Sequence, residues 1–184
     1  MDKVLFQTSD ISAYAGQGQK LTGTLEVGEF SLGPMNYAIE KGISYEVTLS
    51  NIGDAIVVNG YASADVDGTC VRCLEPAKVN VESDVEGYFA LSEDSDVTGM
   101  EEDEYEYVPE DGVIDLAPEI YSAIIVEIPT IFLCKDDCKG LCPTCGANLN
   151  YETCDCANKI DEDNPFSVLK DLFKDENMNN EADN

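Results

Sequence analysis

The residues of this chain best suited to chemistry are its eight cysteines, and six of them fall between Cys134 and Cys156. That stretch reads Cys134-Lys-Asp-Asp-Cys138-Lys-Gly-Leu-Cys142-Pro-Thr-Cys145-Gly, then continues to Cys154-Asp-Cys156. The remaining two, Cys70 and Cys73, form a second Cys-x-x-Cys far upstream. Paired thiolates are soft ligands, so a metal ion is the first chemistry to consider.

Cys142-Pro-Thr-Cys145-Gly146 has the form of a zinc knuckle: two thiolates two residues apart share one ion, and the following glycine relieves the backbone where amides turn toward sulfur. Cys154 and Cys156 supply a second close pair, and the turn-rich segment 147–153 lets the two pairs fold back on each other. This predicts one four-cysteine site. Cys70, Cys73, Cys134 and Cys138 remain as a second set of four, tying an upstream hairpin to the downstream cluster. Closing a loop of that length costs roughly 3 to 4 kcal/mol, whereas structural zinc in small peptides contributes about 10 to 16 kcal/mol. Two zinc ions, each held by four cysteines, is therefore the leading expectation. Two alternatives stay open: a partition in which Cys138 joins Cys142, Cys145 and Cys154, and iron in place of zinc, which an all-thiolate set also accepts.

The chain has no histidine, which excludes metal-histidine hydrolases, histidine triads and histidine general bases. A closed four-thiolate site lacks the open position that a catalytic metal needs. The best enzymatic case left is Cys70-Val-Arg-Cys73 as a redox pair with Arg72 lowering a thiol pKa. Such pairs usually open a helix, and this one falls between strands, so the chain is read as no enzyme. The acidic clusters lack the spacing of an EF-hand and are read as solvated surface.

The elements that must position these thiols can be read from 184 residues with a formal net charge of −28. Length allows one packed core and a small metal-held module. Residues 1–40 predict one or two strands between glycine-rich loops. From Ile43 the alternation sharpens: Tyr45, Val47 and Leu49 on one face, then Val58, Gly60, Ala62, Ala64 and Val66, then Val79, Val81, Val85, Phe89 and Leu91. Cys70 and Cys73 lie between the last two runs, at the tip of a hairpin. Residues 93–111 carry ten acidic and no basic side chains and predict a solvated loop, with Tyr105, Tyr107 and Val108 as a short edge strand. Asp115, Pro118 and Glu119 open a helix over about 116–128, stopped by Pro129. Asn164 and Pro165 open a second, with Phe166, Leu169, Leu172 and Phe173 as its apolar seam. The fold class is α+β: a mostly antiparallel β domain over 1–133 with one or two packed helices, a small cysteine-rich zinc-knuckle module with the C-terminal helix over 134–174, and a disordered tail over 175–184.

The start of the chain shows no basic segment followed by an apolar one, and no apolar run is long enough to span a bilayer, so a cytoplasmic location is expected. Thiols there stay reduced, which favours metal over disulfide. Only ten residues are basic, and four of them, Arg72, Lys78, Lys135 and Lys139, lie in or beside the cysteine clusters. They offer a local basic spot on an acidic body, a candidate contact for phosphate or for a partner.

Three blocks, taken together, resemble the bacterial YceD family, the large ribosomal RNA subunit accumulation proteins. They are Cys70-Val-Arg-Cys73-Leu74; Cys138-Lys-Gly-Leu-Cys142-Pro-Thr-Cys145-Gly-Ala-Asn-Leu-Asn150 with Cys154-Asp-Cys156; and Asn164-Pro-Phe-Ser-Val-Leu-Lys-Asp-Leu172. The resemblance implies a cytoplasmic, non-enzymatic ribosome biogenesis factor needed for accumulation of 23S rRNA, through its processing, stability or assembly. Large-subunit rRNA or its assembly intermediates would then be the partner, with no membrane and no small-molecule substrate. The acidic charge supports an alternative, an adaptor or holding chaperone for a basic ribosomal protein.

Overall fold

The computed structural model describes residues 2–11, 14–92, 95 and 105–156. The chain divides into two compact units, Met1–Asp137 and Cys138–Asn184. The predicted helix over 164–174, the tail and most of the acidic stretch 93–104 lie outside the described residues.

The first unit is a sheet whose spine is a long hairpin, β6 (Ala55–Thr69) and β7 (Pro76–Ala90), paired antiparallel along its whole length from Ala55↔Ala90 to Thr69↔Pro76. Two-residue alternation explains its burial. Val58, Ala62, Ala64 and Val66 of one strand and Ala77, Val81, Val85 and Phe89 of the other point inward, while Asn59, Tyr61, Glu82, Asp84 and Glu86 face water. On the far side of β6 lie β5 (Ile43–Asn51) and then β2 (Gly18–Leu25), and further along β6 the hairpin of β3 (Gly28–Leu32) and β4 (Met35–Ile39). All these pairings are antiparallel. The short strand β8 (Glu106–Tyr107) instead runs parallel to β7, and β1 (Leu5–Gln7) pairs with β9 (Val113–Asp115) in a separate two-stranded sheet. Residues 1–40 thus hold four strands where the sequence pattern predicts one or two.

Gly60 lets β5 and β6 approach: a Cβ there would stand 2.6 Å from the Val47 Cα. Helix α1 (Ala117–Glu127) has proline in its first turn, and the Asp115 carboxylate accepts hydrogen bonds from the amides of Val4 and Ala117 at 3.0 and 3.1 Å. It buries Ala117, Ile120 and Ile124. Phe132, fully buried just beyond the helix, meets Tyr37 edge-on, and Tyr37 stacks on Phe30, the Tyr37–Phe132 and Phe30–Tyr37 centroids lying 5.3 and 5.7 Å apart. Among the described residues, no helix is long and apolar enough to cross a membrane.

Candidate metal centre

The hairpin β6–β7 carries Cys70 and Cys73 in its connecting turn. The Cys70 amide donates to the Glu75 carbonyl at 2.9 Å, and the Leu74 amide donates back to the Cys70 carbonyl at 2.9 Å. The turn is anchored sideways, since the Val71 amide donates to the Phe132 carbonyl at 2.9 Å. That bond brings in the segment leading to Cys134, whose sulfur lies 3.6 Å from the Cys73 sulfur. Beneath the turn, Gly68 leaves room for two of these rings, because a Cβ there would meet both Tyr37 and Phe132 at 2.9 Å.

In the second unit, Cys142 and Cys145 repeat this turn. The Cys142 amide donates to the Ala147 carbonyl at 2.8 Å, and the Gly146 amide to the Cys142 carbonyl at 2.9 Å. The same two bonds in the same order make both turns knuckles of one type. The residue after the second cysteine must then take a left-handed conformation: Gly146 at φ 75° in one and Leu74 at φ 60° in the other. Glycine enters that region freely, whereas a leucine there costs about 1 to 2 kcal/mol. Asn150 braces the second unit. Its side-chain oxygen accepts from the Lys139 amide at 2.9 Å, and its amide nitrogen donates to the Cys138 sulfur at 3.4 Å and to Asn148 Oδ1 at 2.9 Å.

The eight sulfurs fall into two groups, Cys70, Cys73, Cys134 and Cys138, and Cys142, Cys145, Cys154 and Cys156, with the ligand atoms within each group all within 4.8 Å of one another. None of the eight is joined in a disulfide. In a tetrahedral site with Zn–S bonds of about 2.3 Å the sulfurs stand about 3.8 Å apart, close to the 3.6 Å between Cys73 and Cys134 and far from the roughly 2.0 Å of a disulfide. The donor sets therefore fit metal ions, and each group could hold one.

Local fields favour the thiolate at Cys70 and at Cys142. Burial raises the Cys70 thiol, but amide donors at Cys73, Cys134 and Arg72 outweigh it and bring it down to about 6. The amides of Cys145 and Thr144 bring Cys142 down to about 6. Cys156 is pushed up to about 12, first by its hydrogen bond with Cys145 and then by burial. At Cys154 the Cys156 amide favours the thiolate, yet the hydrogen bond with Cys142 and burial together leave that thiol raised.

The four basic candidates are distributed less simply. Lys78 donates to Asp67 at 2.9 Å, which raises its pKa, and Lys135 pairs with Asp137 at 3.6 Å. Arg72 is exposed on the first knuckle, and Lys139 belongs to the second unit. Sequence reasoning did not single out Leu74, Phe132 or Asn150 for any role at the thiols. Only Asn150 left a signal, as one of two asparagines after a turn.

A family model described as large ribosomal RNA subunit accumulation protein YceD matches residues 58–173. The chain belongs to the YceD family. The match contains both knuckles and all eight cysteines. A Mycobacterium tuberculosis protein described as uncharacterized is 33% identical over 117 residues, covering 62% of this chain and 56% of that protein. The large ribosomal RNA subunit accumulation protein YCED homolog 1, chloroplastic, of Zea mays is 32% identical over 131 residues, covering 57% and 44%. Its namesake in Arabidopsis thaliana is 37% identical over 71 residues, covering 39% and 22%. This YceD chain spans little more than half the length of the mycobacterial relatives it matches. No solved structure matches it.

Proposed function

We propose that the chain is a non-enzymatic ribosome biogenesis factor of the cytoplasm that supports accumulation of 23S rRNA of the large subunit, with zinc as its structural metal. The observation that carries this reading is the family match over residues 58–173, which takes in both knuckles. Two four-thiolate groups without histidine support closed, structural sites over catalytic ones. Bound zinc would supply cross-linking, fixing the knuckles without a large core around them. Of the basic residues, Arg72, Lys78, Lys135 and Lys139 are the candidate contacts to large-subunit rRNA or its assembly intermediates.

The reading is tested by deleting the gene and measuring 23S rRNA. Loss of that rRNA, restored by the wild-type gene, is expected; unchanged levels would overturn it. Metal analysis should find two zinc ions per chain. R72E with K139E should reduce co-sedimentation with large-subunit precursors while the fold is kept, and unchanged co-sedimentation would remove these residues from the contact.

A second reading, an adaptor or holding chaperone for a basic ribosomal protein, draws on the water-facing side of the sheet. There Tyr61, 63% exposed, stands among Glu46, Glu82, Asp84 and Glu86, where Glu46 is paired with Lys20. Such a field attracts cations and repels phosphate. On this reading the acidic stretch 93–111 screens the basic partner as well, so removing residues 93–104 should abolish an adaptor's interaction and spare RNA contact.

A further inference from the structure

The two knuckles share their hydrogen bonds and differ in one respect that the fold does not explain. Where the second has Gly146, the first has a leucine in the left-handed region. Leu74 gains no burial in exchange, since it is 65% exposed. Glycine would take the same conformation without strain. An apolar side chain kept in a strained position and turned to solvent points to a contact outside the chain.

Leu74 has company. Val71 in the same turn is 41% exposed, and Ile131, on the segment tied to the turn by the bond from the Val71 amide to the Phe132 carbonyl, is 60% exposed. No aromatic ring stands among these three, so the tip offers no flat face for a nucleobase, the feature by which single-stranded nucleic acid is usually gripped. Aliphatic side chains of this kind fill a pocket on a protein. The sign of the surroundings selects the partner further: Asp67, Glu75, Asp136 and Asp137 outnumber Arg72, Lys78 and Lys135 at this end of the unit, with Lys78 and Lys135 paired to Asp67 and Asp137, and the chain as a whole carries −28. An apolar centre with an anionic rim complements a cationic protein and disfavours a phosphate backbone.

We infer that Val71, Leu74 and Ile131 form an apolar anchor by which the first knuckle docks a basic protein carrying an aliphatic pocket. This deepens the adaptor reading and rests on it for the partner's charge.

The test uses the full-length, zinc-loaded chain, with purified large-subunit ribosomal proteins assayed singly and a large-subunit rRNA transcript assayed in parallel. One or a few basic proteins should bind the wild type. L74G should lose at least tenfold in affinity while its melting temperature rises by about 2 to 4 °C as strain is relieved. V71S with I131S should lose affinity similarly, and V126S, which alters an exposed aliphatic on α1 outside the tip, should lose none. The inference is overturned if none of the proteins binds, if L74G binds as the wild type does, if L74G lowers the melting temperature, or if rRNA binding is what the tip variants lose. The 23S rRNA level in deleted cells is a separate readout, so failure of the biogenesis reading and failure of the anchor are told apart.

Discussion

Replacing Cys73 by serine tests the assignment of the first thiol group most directly. Cys73 and Cys134 are separated by 61 residues of chain. If one ion joins them, losing the link frees that loop in the unfolded ensemble. The logarithmic relation for a cross-linked loop gives an entropy of about 14 cal/mol/K at this length, or about 4 kcal/mol at 25 °C. For a chain of this size each kcal/mol shifts the melting temperature by about 2 to 4 °C, so C73S should melt roughly 8 to 16 °C below the zinc-loaded wild type. Calorimetry on both proteins, with zinc measured by elemental analysis, reads the effect. Zinc should fall from two ions per chain to one, and a chelator should lower the wild type toward the variant. C145S is the comparison, because Cys145 and Cys154 close a loop of about nine residues, for which the same relation gives about 2.6 kcal/mol, and its loss should leave melting of the sheet nearly unchanged. If C73S kept two zinc ions and melted within about 2 °C of the wild type, the link through Cys73 would not exist and the reasoning would fail.

Three further outcomes follow from particular contacts. Glu119 is half-buried on α1, its Oε2 has no hydrogen-bond partner among the described residues, and burial raises its pKa. Its contribution is therefore present while it is protonated and is lost as pH climbs from the ordinary carboxylate range through the raised folded value. E119Q should thus melt about 2 to 4 °C higher than wild type at pH 7, from about 1 kcal/mol of relieved desolvation after allowance for partial exposure. The gap should close near pH 4, and a lower melting temperature at pH 7 would contradict the assignment. G60A should destabilise the sheet by at least about 1 to 3 kcal/mol in urea unfolding, because the new Cβ meets backbone that has no room to shift; an unchanged midpoint would show that the strands can part. N150A, which removes the donor to the Cys138 sulfur and the acceptor of the Lys139 amide, should weaken zinc affinity about 10- to 100-fold in chelator competition, whereas equal affinity would make Asn150 dispensable to the site.

How legible these features were depended on whether a local pattern carried them. The hairpin β6–β7 could be read because both strands are long and half-buried, so the two-residue period repeats many times, with Val58 through Val66 answering Val79 through Phe89. The second knuckle could be read because glycine marks the left-handed position after Cys145. Strands β2 to β4 could not be separated. Strands β3 and β4 are short, β2 is exposed along most of its length, and Gly18, Gly23, Gly28 and Gly33 break whatever alternation remains. The strain at Leu74 left no trace in composition, because nothing about a leucine announces a positive φ; it emerged only when the two turns could be compared bond for bond. Asn150 left a weak signal as one of two asparagines after a turn, but a short polar side chain there has many partners available and the sequence does not choose among them.

Charge and rigidity together bear on which contact comes first. A strained residue survives only where its surroundings over-determine it, and the first knuckle is over-determined by a fifteen-residue strand ladder, the bond from Val71 to Phe132, and a thiol group fit for a metal. That rigidity lets the tip be presented without ordering anything on binding, so little conformational entropy is lost in a protein contact there. RNA contact through Arg72 and Lys139 would have to work against a long-range field set by 38 acidic and ten basic side chains. A protein contact through the apolar tip gains from the same field if the partner is basic. On the adaptor reading a cationic protein therefore reaches the chain before RNA does, and the rRNA is engaged through that protein. Adding salt should then weaken the first step more than the apolar anchor's own variants do at high ionic strength, because steering is screened within about 8 Å while aliphatic burial is not.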